Sequence, residues 1–477
     1  MALATAPART ITPEEQTTAR TLLDRARAAM RAVENYDQAA VDRLCQAIGW
    51  AGGNEKTATA LAKMSVEESG MGSPEPKRRA KVQGVLRDAL RQKSIGVIEE
   101  IPEKGIVKYA KPAGVIASLI PVTSPYVTPI TIAIYAIKCR DAVIFSPHPG
   151  SRKTTNETVR VMRAALKKLG APEDLLQCVE RPSIPLANEL MRTCDLTIAT
   201  GGPAMVKSAY SSGKPAYGVG AGNATMVIDE TADIVQAARN TAISKTNDHG
   251  SGCSADGNIL VDASLYDAFL QQLQTEGGYL VNATEKALLE KAYWDADGHR
   301  TASTIARGAS VVAGIAGFAI PDDKTFLLVE EQHIGTEHRF STEKLGTVLA
   351  IFKCHGFDDT LDKVRRIFET GGKGHSCGIY SHDDDHIHRL ALVAPVSRMM
   401  VRQVQSSSNA GTFTNGMPMT SSMGCGVWGG NITNENIALK HYMNVTWVSR
   451  PIPEDKPSEE ELFGEFYNST VTVSSKN

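Results

Sequence analysis

The sequence predicts an α/β protein built on parallel sheets, and three observations carry that prediction. Short apolar runs at 114–120, 142–145 and 196–200, with a possible fourth at 226–229, alternate with helical stretches such as 154–169. A second alternation, with segments at 264–275, 347–352 and 391–400, follows residue 253. Strand–helix alternation of this kind gives parallel sheets joined by right-handed crossovers. The chain's 477 residues are enough for two or three domains.

Each element has a local reason. Thr12-Pro13-Glu14-Glu15 reads as an N-cap, a proline in the first turn and early acids. Leu22, Leu23, Ala26, Met30 and Val33 then recur at helical spacing, and Asp37 can cap a second helix carrying Val41, Leu44, Cys45 and Ile48. The basic stretch 74–93 reads as a solvated helix. Residues 95–109, centred on Pro102-Glu103-Lys104, read as a hairpin with one polar face. The stretch from Asn444 to Ser449 returns to strand character before an acidic, polar tail. As exposed edges, the hairpin and this strand are expected to pair between subunits of a homodimer or homotetramer.

Composition narrows the class. A hydrophobic fraction of 42%, a charged fraction of 22% and a net charge of −2 fit an ordinary globular protein with no electrostatic footprint for nucleic acid. No apolar run is long enough to span a bilayer. The first nine residues lack a charged start followed by an apolar core, so no signal peptide is expected. The expectation is a cytoplasmic protein without membrane or nucleic-acid partners. The eight cysteines form no Cys-x-x-Cys pair and are irregularly spaced, which argues against a metal site or a disulfide framework.

Cys253 stands apart from the other thiols. It ends the glycine-interrupted stretch Asp248-His249-Gly250-Ser251-Gly252-Cys253, just before an apolar strand. A thiol on such a turn can be a covalent nucleophile, although a buried inert thiol is the ordinary reading of a cysteine. Two turns at strand carboxyl ends, Ser146-Pro147-His148-Pro149-Gly150-Ser151-Arg152-Lys153 and Thr200-Gly201-Gly202-Pro203, each lead into a helix. Amide groups at a helix start suit a pyrophosphate. A Gly-x-Gly-x-x-Gly fingerprint is absent.

Taken together, these segments resemble the coenzyme-A-acylating branch of the aldehyde dehydrogenase superfamily. The resemblance runs from Val66-Glu67-Glu68-Ser69-Gly70-Met71-Gly72 to Asn444-Val445. It includes Ala209-Tyr210-Ser211-Ser212-Gly213-Lys214-Pro215, Glu343-Lys344-Leu345-Gly346, Gly371-Gly372-Lys373-Gly374-His375 and Gly424-Cys425-Gly426-Val427-Trp428-Gly429-Gly430-Asn431. It is especially close to the acylating succinate semialdehyde dehydrogenases. It implies a cofactor-binding domain over 1–245, a catalytic domain over 246–442 and an oligomerising strand and tail over 443–477. In hydrolytic members a glutamate activates water; here Val219 takes its place, so the thioester on Cys253 should wait for coenzyme A.

The resemblance also assigns roles. Cys253 is the nucleophile, and Thr123 takes the place of the oxyanion-binding asparagine, with Ser124 beside it. His375 either deprotonates coenzyme A or is structural. His249 reads as a loop residue. Ser146, His148, Pro149, Gly201, Gly202 and Gly220 are expected along the nicotinamide cofactor, with Glu343 on its ribose. Arg152 and Lys153 could hold a 2′-phosphate or be solvated cations, which leaves NAD and NADP both open. Ser254 and Arg402 are assigned to the substrate. At Arg402 the branch tends to have asparagine, so an anionic aldehyde is expected, sulfoacetaldehyde ahead of succinate semialdehyde. A surface or inter-subunit ion pair is the competing reading of Arg402. The competing functions are an unsubstituted acetaldehyde or propanal substrate, a hydrolytic enzyme, and a silent homologue.

Overall fold

The computed structural model describes residues 9–75 and 79–468. The N-terminal segment read for a signal peptide, part of the basic stretch at 76–78 and the end of the polar tail lie outside the described residues.

Among the described residues, fifteen strands form three sheets. In chain order they are β1 (Gly96–Ile101), β2 (Ile106–Pro112), β3 (Val115–Ile120), β4 (Ala142–Pro147), β5 (Leu176–Cys178), β6 (Leu196–Thr200), β7 (Ala216–Val219), β8 (Thr225–Ile228), β9 (Asn258–Asp262), β10 (Gly278–Leu280), β11 (Phe326–Glu330), β12 (Val348–Cys354), β13 (Cys377–Tyr380), β14 (Met399–Val401) and β15 (Met443–Ser449). A five-stranded parallel sheet has the order β5-β4-β3-β6-β7, and a seven-stranded parallel sheet has the order β10-β11-β12-β9-β8-β13-β14. The α/β class expected from the alternation is therefore the one observed.

The N-terminal helices follow their local signals. Thr12 and Glu15 close a capping box on the helix Pro13–Ala32, and Asp37 caps the helix Gln38–Gly53. The latter buries Val41, Leu44, Cys45 and Ile48. The helix Arg79–Leu90 is more than a solvated basic segment, because it buries Val82, Val85 and Ala89.

Two expectations are corrected. The segment at 226–229 lies in the seven-stranded sheet as β8, between β9 and β13, rather than in the first sheet. Four apolar residues carry no mark of which buried sheet they enter. The sheets thus exchange between Val219 and Thr225, whereas 245/246 falls at the end of the helix Ile234–Thr246. The hairpin and the late strand pair with each other within the chain, from Met443 opposite Pro112 to Ser449 opposite Ile106. The order β1-β2-β15 leaves only the outer edges of β1 and β15 open.

Strand direction positions the site. His148 and Gly201-Gly202 follow β4 and β6, so they lie at carboxyl ends of the five-stranded sheet. Gly222, Cys253, Glu343, His375 and Arg398 precede β8, β9, β12, β13 and β14, so they gather at amino ends of the seven-stranded sheet. The two ends face one cleft.

Candidate active site

Cys253 meets His375 across 122 positions of sequence, with Nε2 of the imidazole 3.0 Å from Sγ. The other ring nitrogen, Nδ1, is 2.8 Å from the Ser376 hydroxyl. With Nδ1–H donating to that oxygen, Nε2 is free to accept the thiol proton. Burial pulls the His375 pKa down to about 3, Arg398 adding in the same direction. Burial also pushes the Cys253 thiol up to about 12, with Glu343 and Cys425 adding to it. The resting pair is thus a neutral thiol donating to a neutral imidazole. The sequence leaves His375 between a role on coenzyme A and a structural one; the geometry sets its ring against the Cys253 sulfur.

Gly222 makes room for this arrangement. A Cβ there would lie 2.0 Å from the Cys253 carbonyl oxygen, closer than two non-bonded atoms can approach. The Gly222 amide donates to Glu343 at 3.0 Å. We expect Gly222→Ala to push the Cys253 loop aside and lower kcat about a hundredfold, since misplacements near 1 Å cost that much. Steady-state kinetics on the purified variant check it, and a rate within threefold of wild type would show that the loop tolerates the shift.

Val219 ends β7 opposite Thr200 and packs in the core, 5% exposed. The position where hydrolytic enzymes carry their base is therefore filled by a buried apolar side chain. Glu343, whose charge acts on the Cys253 thiol, is engaged by the Gly222 amide and by Arg300 at 3.4 Å. Burial raises its pKa.

The cleft has a volume of about 610 Å³. Its walls include Pro203, Lys207 and Tyr210 on one side and Gly220, Lys373, Cys425 and Trp428 on the other. The helix Pro203–Tyr210 starts at its edge, with Gly202 as an N-cap that places no side chain over the first amides. No atom lies within 4 Å of where a Gly202 Cβ would stand. An open helix start beside a cleft lined by the Cys425 thiol fits a pyrophosphate-bearing cofactor.

The other helix start does not. The amides of Lys153 and Thr154 donate to the Glu68 carboxylate at 2.7 and 2.8 Å, and the Thr154 hydroxyl joins them at 2.8 Å. Glu68 already supplies the negative group that this helix end attracts. Ser146 is buried, Pro149 is exposed, and His148 accepts the Gly150 amide at 3.1 Å through Nδ1. Arg152 and Lys153 are exposed. Lys153 lines a groove of about 980 Å³ together with Arg160, Arg163 and Arg181, at the carboxyl end of β5.

Thr123 lines a small cavity of about 20 Å³ with Tyr126 and Asp248, the latter in the loop that runs to Cys253. The Ser124 amide closes a turn onto the Pro121 carbonyl at 3.3 Å. Ser254 is buried and donates its hydroxyl to the Ser406 carbonyl at 3.1 Å, so it ties down the 405–409 loop rather than facing the cleft. His249 lies over Gly308.

Arg402 is not brought to the site. It follows β14 at that strand's carboxyl end, is exposed, and its guanidinium donates to the Ser381 carbonyl just beyond the carboxyl end of β13. His375 precedes the same strand at its amino end. Four strand residues separate the ends by roughly 13 Å. The reading of Arg402 as a substrate cation fails on strand direction.

Sequence comparison gives the same outline. The profile of the Aldehyde dehydrogenase family matches residues 6–448. A sulfoacetaldehyde dehydrogenase of Acholeplasma sp is 43% identical over 460 residues, 95% of each chain. An acylating sulfoacetaldehyde dehydrogenase of Bilophila wadsworthia is 40% identical over 93% of this chain and 97% of the relative. The crystal structure of an acetylating aldehyde dehydrogenase from Geobacillus thermoglucosidasius superposes with a TM-score of 0.88 at 33% identity, covering 93% of this chain and 99% of that one.

Proposed function

This chain belongs to the aldehyde dehydrogenase family, and from that premise we propose that it is a coenzyme-A-acylating, nicotinamide-dependent dehydrogenase of sulfoacetaldehyde. The observation that carries the chemistry is the Cys253–His375 pair, together with the buried apolar Val219 where hydrolytic members carry their base. The substrate reading rests on the relatives from Acholeplasma and Bilophila. Arg402 no longer supports it.

The residues perform the reaction as follows. Sγ of Cys253 bonds to the aldehyde carbon while His375 Nε2 takes the thiol proton. Backbone amides, that of Cys253 first, face the developing oxyanion, with Thr123 as the candidate side-chain donor. Gly201, Gly202, Gly220 and Glu343 would hold the nicotinamide cofactor, which supplies a hydride acceptor when bound. The thioester left on Cys253 persists, because Val219 cannot deliver a hydroxide. His375 gives the first proton up to water, and its free Nε2 then takes the proton of the acceptor thiol and returns it to the departing Cys253 sulfur. Arg152 and Lys153, both exposed and the latter on the groove, are the residues to test for NADP against NAD.

The test is a panel of sulfoacetaldehyde, succinate semialdehyde and propanal, each with and without coenzyme A and with either nicotinamide cofactor. Sustained turnover is expected only with coenzyme A, and highest kcat/KM with sulfoacetaldehyde. Arg402→Ala is expected to leave kcat/KM within about twofold on all three, since a surface change away from the chemistry carries little transition-state energy. Steady production of free acid without coenzyme A would refute the acylating reading. Propanal as the best substrate would refute the substrate reading alone.

Assembly is read from the third sheet. Trp447 is 58% exposed, and the outer edges of β1 and β15 are unpaired. A homodimer or homotetramer that covers these edges is expected, and sedimentation showing an active monomer contradicts it. No helix among the described residues is long and apolar enough to cross a membrane.

A further inference from the structure

Among the described residues, Arg398 is a guanidinium buried without a carboxylate partner. It stands at the amino end of β14 and is 5% exposed. Its Nη1 donates to the His375 carbonyl at 2.9 Å, and its Nη2 to the carbonyls of Gly424 at 2.5 Å and Asn434 at 3.0 Å. Its Nε meets no acceptor. Among the described residues, the charged states that act on it are those of the Cys425 and Cys253 thiols.

A buried cation without a counter-ion is costly, and carbonyl oxygens offset only part of that cost. The arrangement gains if a negative charge forms nearby. Cys253 is the group whose reaction forms one, and the His375 carbonyl held by Arg398 belongs to the residue that takes its proton. We propose that Arg398 is a positioning residue that supplies the counter-charge for the Cys253 thiolate and keeps the His375 imidazole neutral. This deepens the reading of Cys253 as nucleophile and rests on it.

The surroundings bear out the direction. His375 is in hydrogen-bond contact with the Cys253 sulfur, and the charges that act on it are those of Glu343, Cys425 and Arg398. Glu343 and Cys425 oppose ionisation, and Arg398 favours it. Behind Glu343 stand Arg300, Lys344 and Lys245. Arg398 also disfavours imidazolium. It therefore favours loss of a proton from the pair as a whole over storage of that proton on the ring. When Sγ forms its bond to carbon, the proton passes through Nε2 and onward to the new oxyanion or to water.

Alkylation by iodoacetamide tests this without any turnover. The Cys253 sulfur displaces iodide, and the thiol proton goes to buffer. The rate constant at Cys253, read by peptide mass between pH 6 and 9, tracks the thiolate fraction. Arg398→Met should slow it about tenfold at each pH, the equivalent of one unit in pKa, while Arg398→Lys should stay within about threefold of wild type. An unchanged or faster rate in the neutral variant overturns the proposal. Equal slowing in both variants also overturns it, because then shape and not charge matters. Rapid alkylation of the buried Cys45 and Cys139 would report a collapsed Arg398→Met fold; Arg398→Gln then takes its place under the same criterion. A failed nucleophile assignment would show separately, as turnover surviving in Cys253→Ala.

Discussion

Cys253→Ala is expected to abolish turnover while leaving nicotinamide binding intact. The loss should be on the order of 10⁴-fold or more in kcat, the range found when a covalent nucleophile is removed. Only the bond to the aldehyde carbon needs this sulfur, whereas Gly201 and Gly202, proposed to hold the cofactor, lie on the opposite sheet across the cleft. A second thiol makes the experiment informative. Cys425 is buried, lines the 610 Å³ cleft and acts on the Cys253 thiol. Its sulfur leans on the Met423 carbonyl at 3.7 Å, and the imidazole of His375 is on Cys253 instead. Cys425→Ser should therefore keep the burst of reduced cofactor that Cys253→Ala loses. Absorbance of the reduced cofactor measures the rate, and fluorescence titration measures binding. A Cys253→Ala enzyme that retains a substantial fraction of wild-type rate would transfer the nucleophile's role elsewhere, Cys425 first.

What was legible in the sequence was local. The N-cap at Thr12, the cap at Asp37, the hairpin and the glycine-rich approach to Cys253 are each decided within a few residues, and the structure carries them as read. The glycine at 222 has its reason only in space, where its missing Cβ admits the Cys253 carbonyl. The pairing of His375 with Cys253 needs β9 and β13 placed on either side of β8, an order not written in either segment. Arg402 misled because it lies only four residues beyond Arg398, close to the site in sequence. Three strand residues between them put the two arginines at opposite ends of β14. Glu68 was part of a matching motif, but its task as the cap of a helix more than eighty residues downstream had no local sign. Arg398 was passed over for the same reason: a cation reads as surface until its burial is seen.

His375→Ala is the second large effect, expected to lower the burst rate of reduced cofactor by roughly 10²- to 10⁴-fold, the usual weight of a positioned proton acceptor. The variant removes the only imidazole within hydrogen-bond distance of the Cys253 sulfur among the described residues. The burst is measured without coenzyme A, so it isolates the first half of the reaction. That choice separates the two roles the residue can have. If the burst survives within threefold and only steady turnover with coenzyme A falls, His375 serves the acceptor thiol alone, as the sequence had suggested. The pH profile of the same burst in wild type gives a second check. Burial holds the ring's pKa near 3, below the ordinary imidazole range, so the basic form is present above about pH 4 and is lost only as pH falls toward 3. No break near pH 6.5 is expected. On the alkaline side the thiol, pushed up to about 12, gains thiolate with every unit of pH, so the burst rate should not level off below pH 9. An acid limb centred at pH 6.5 would place the ring in contact with solvent, which the buried Ser376 and the 1% exposure of His375 do not allow.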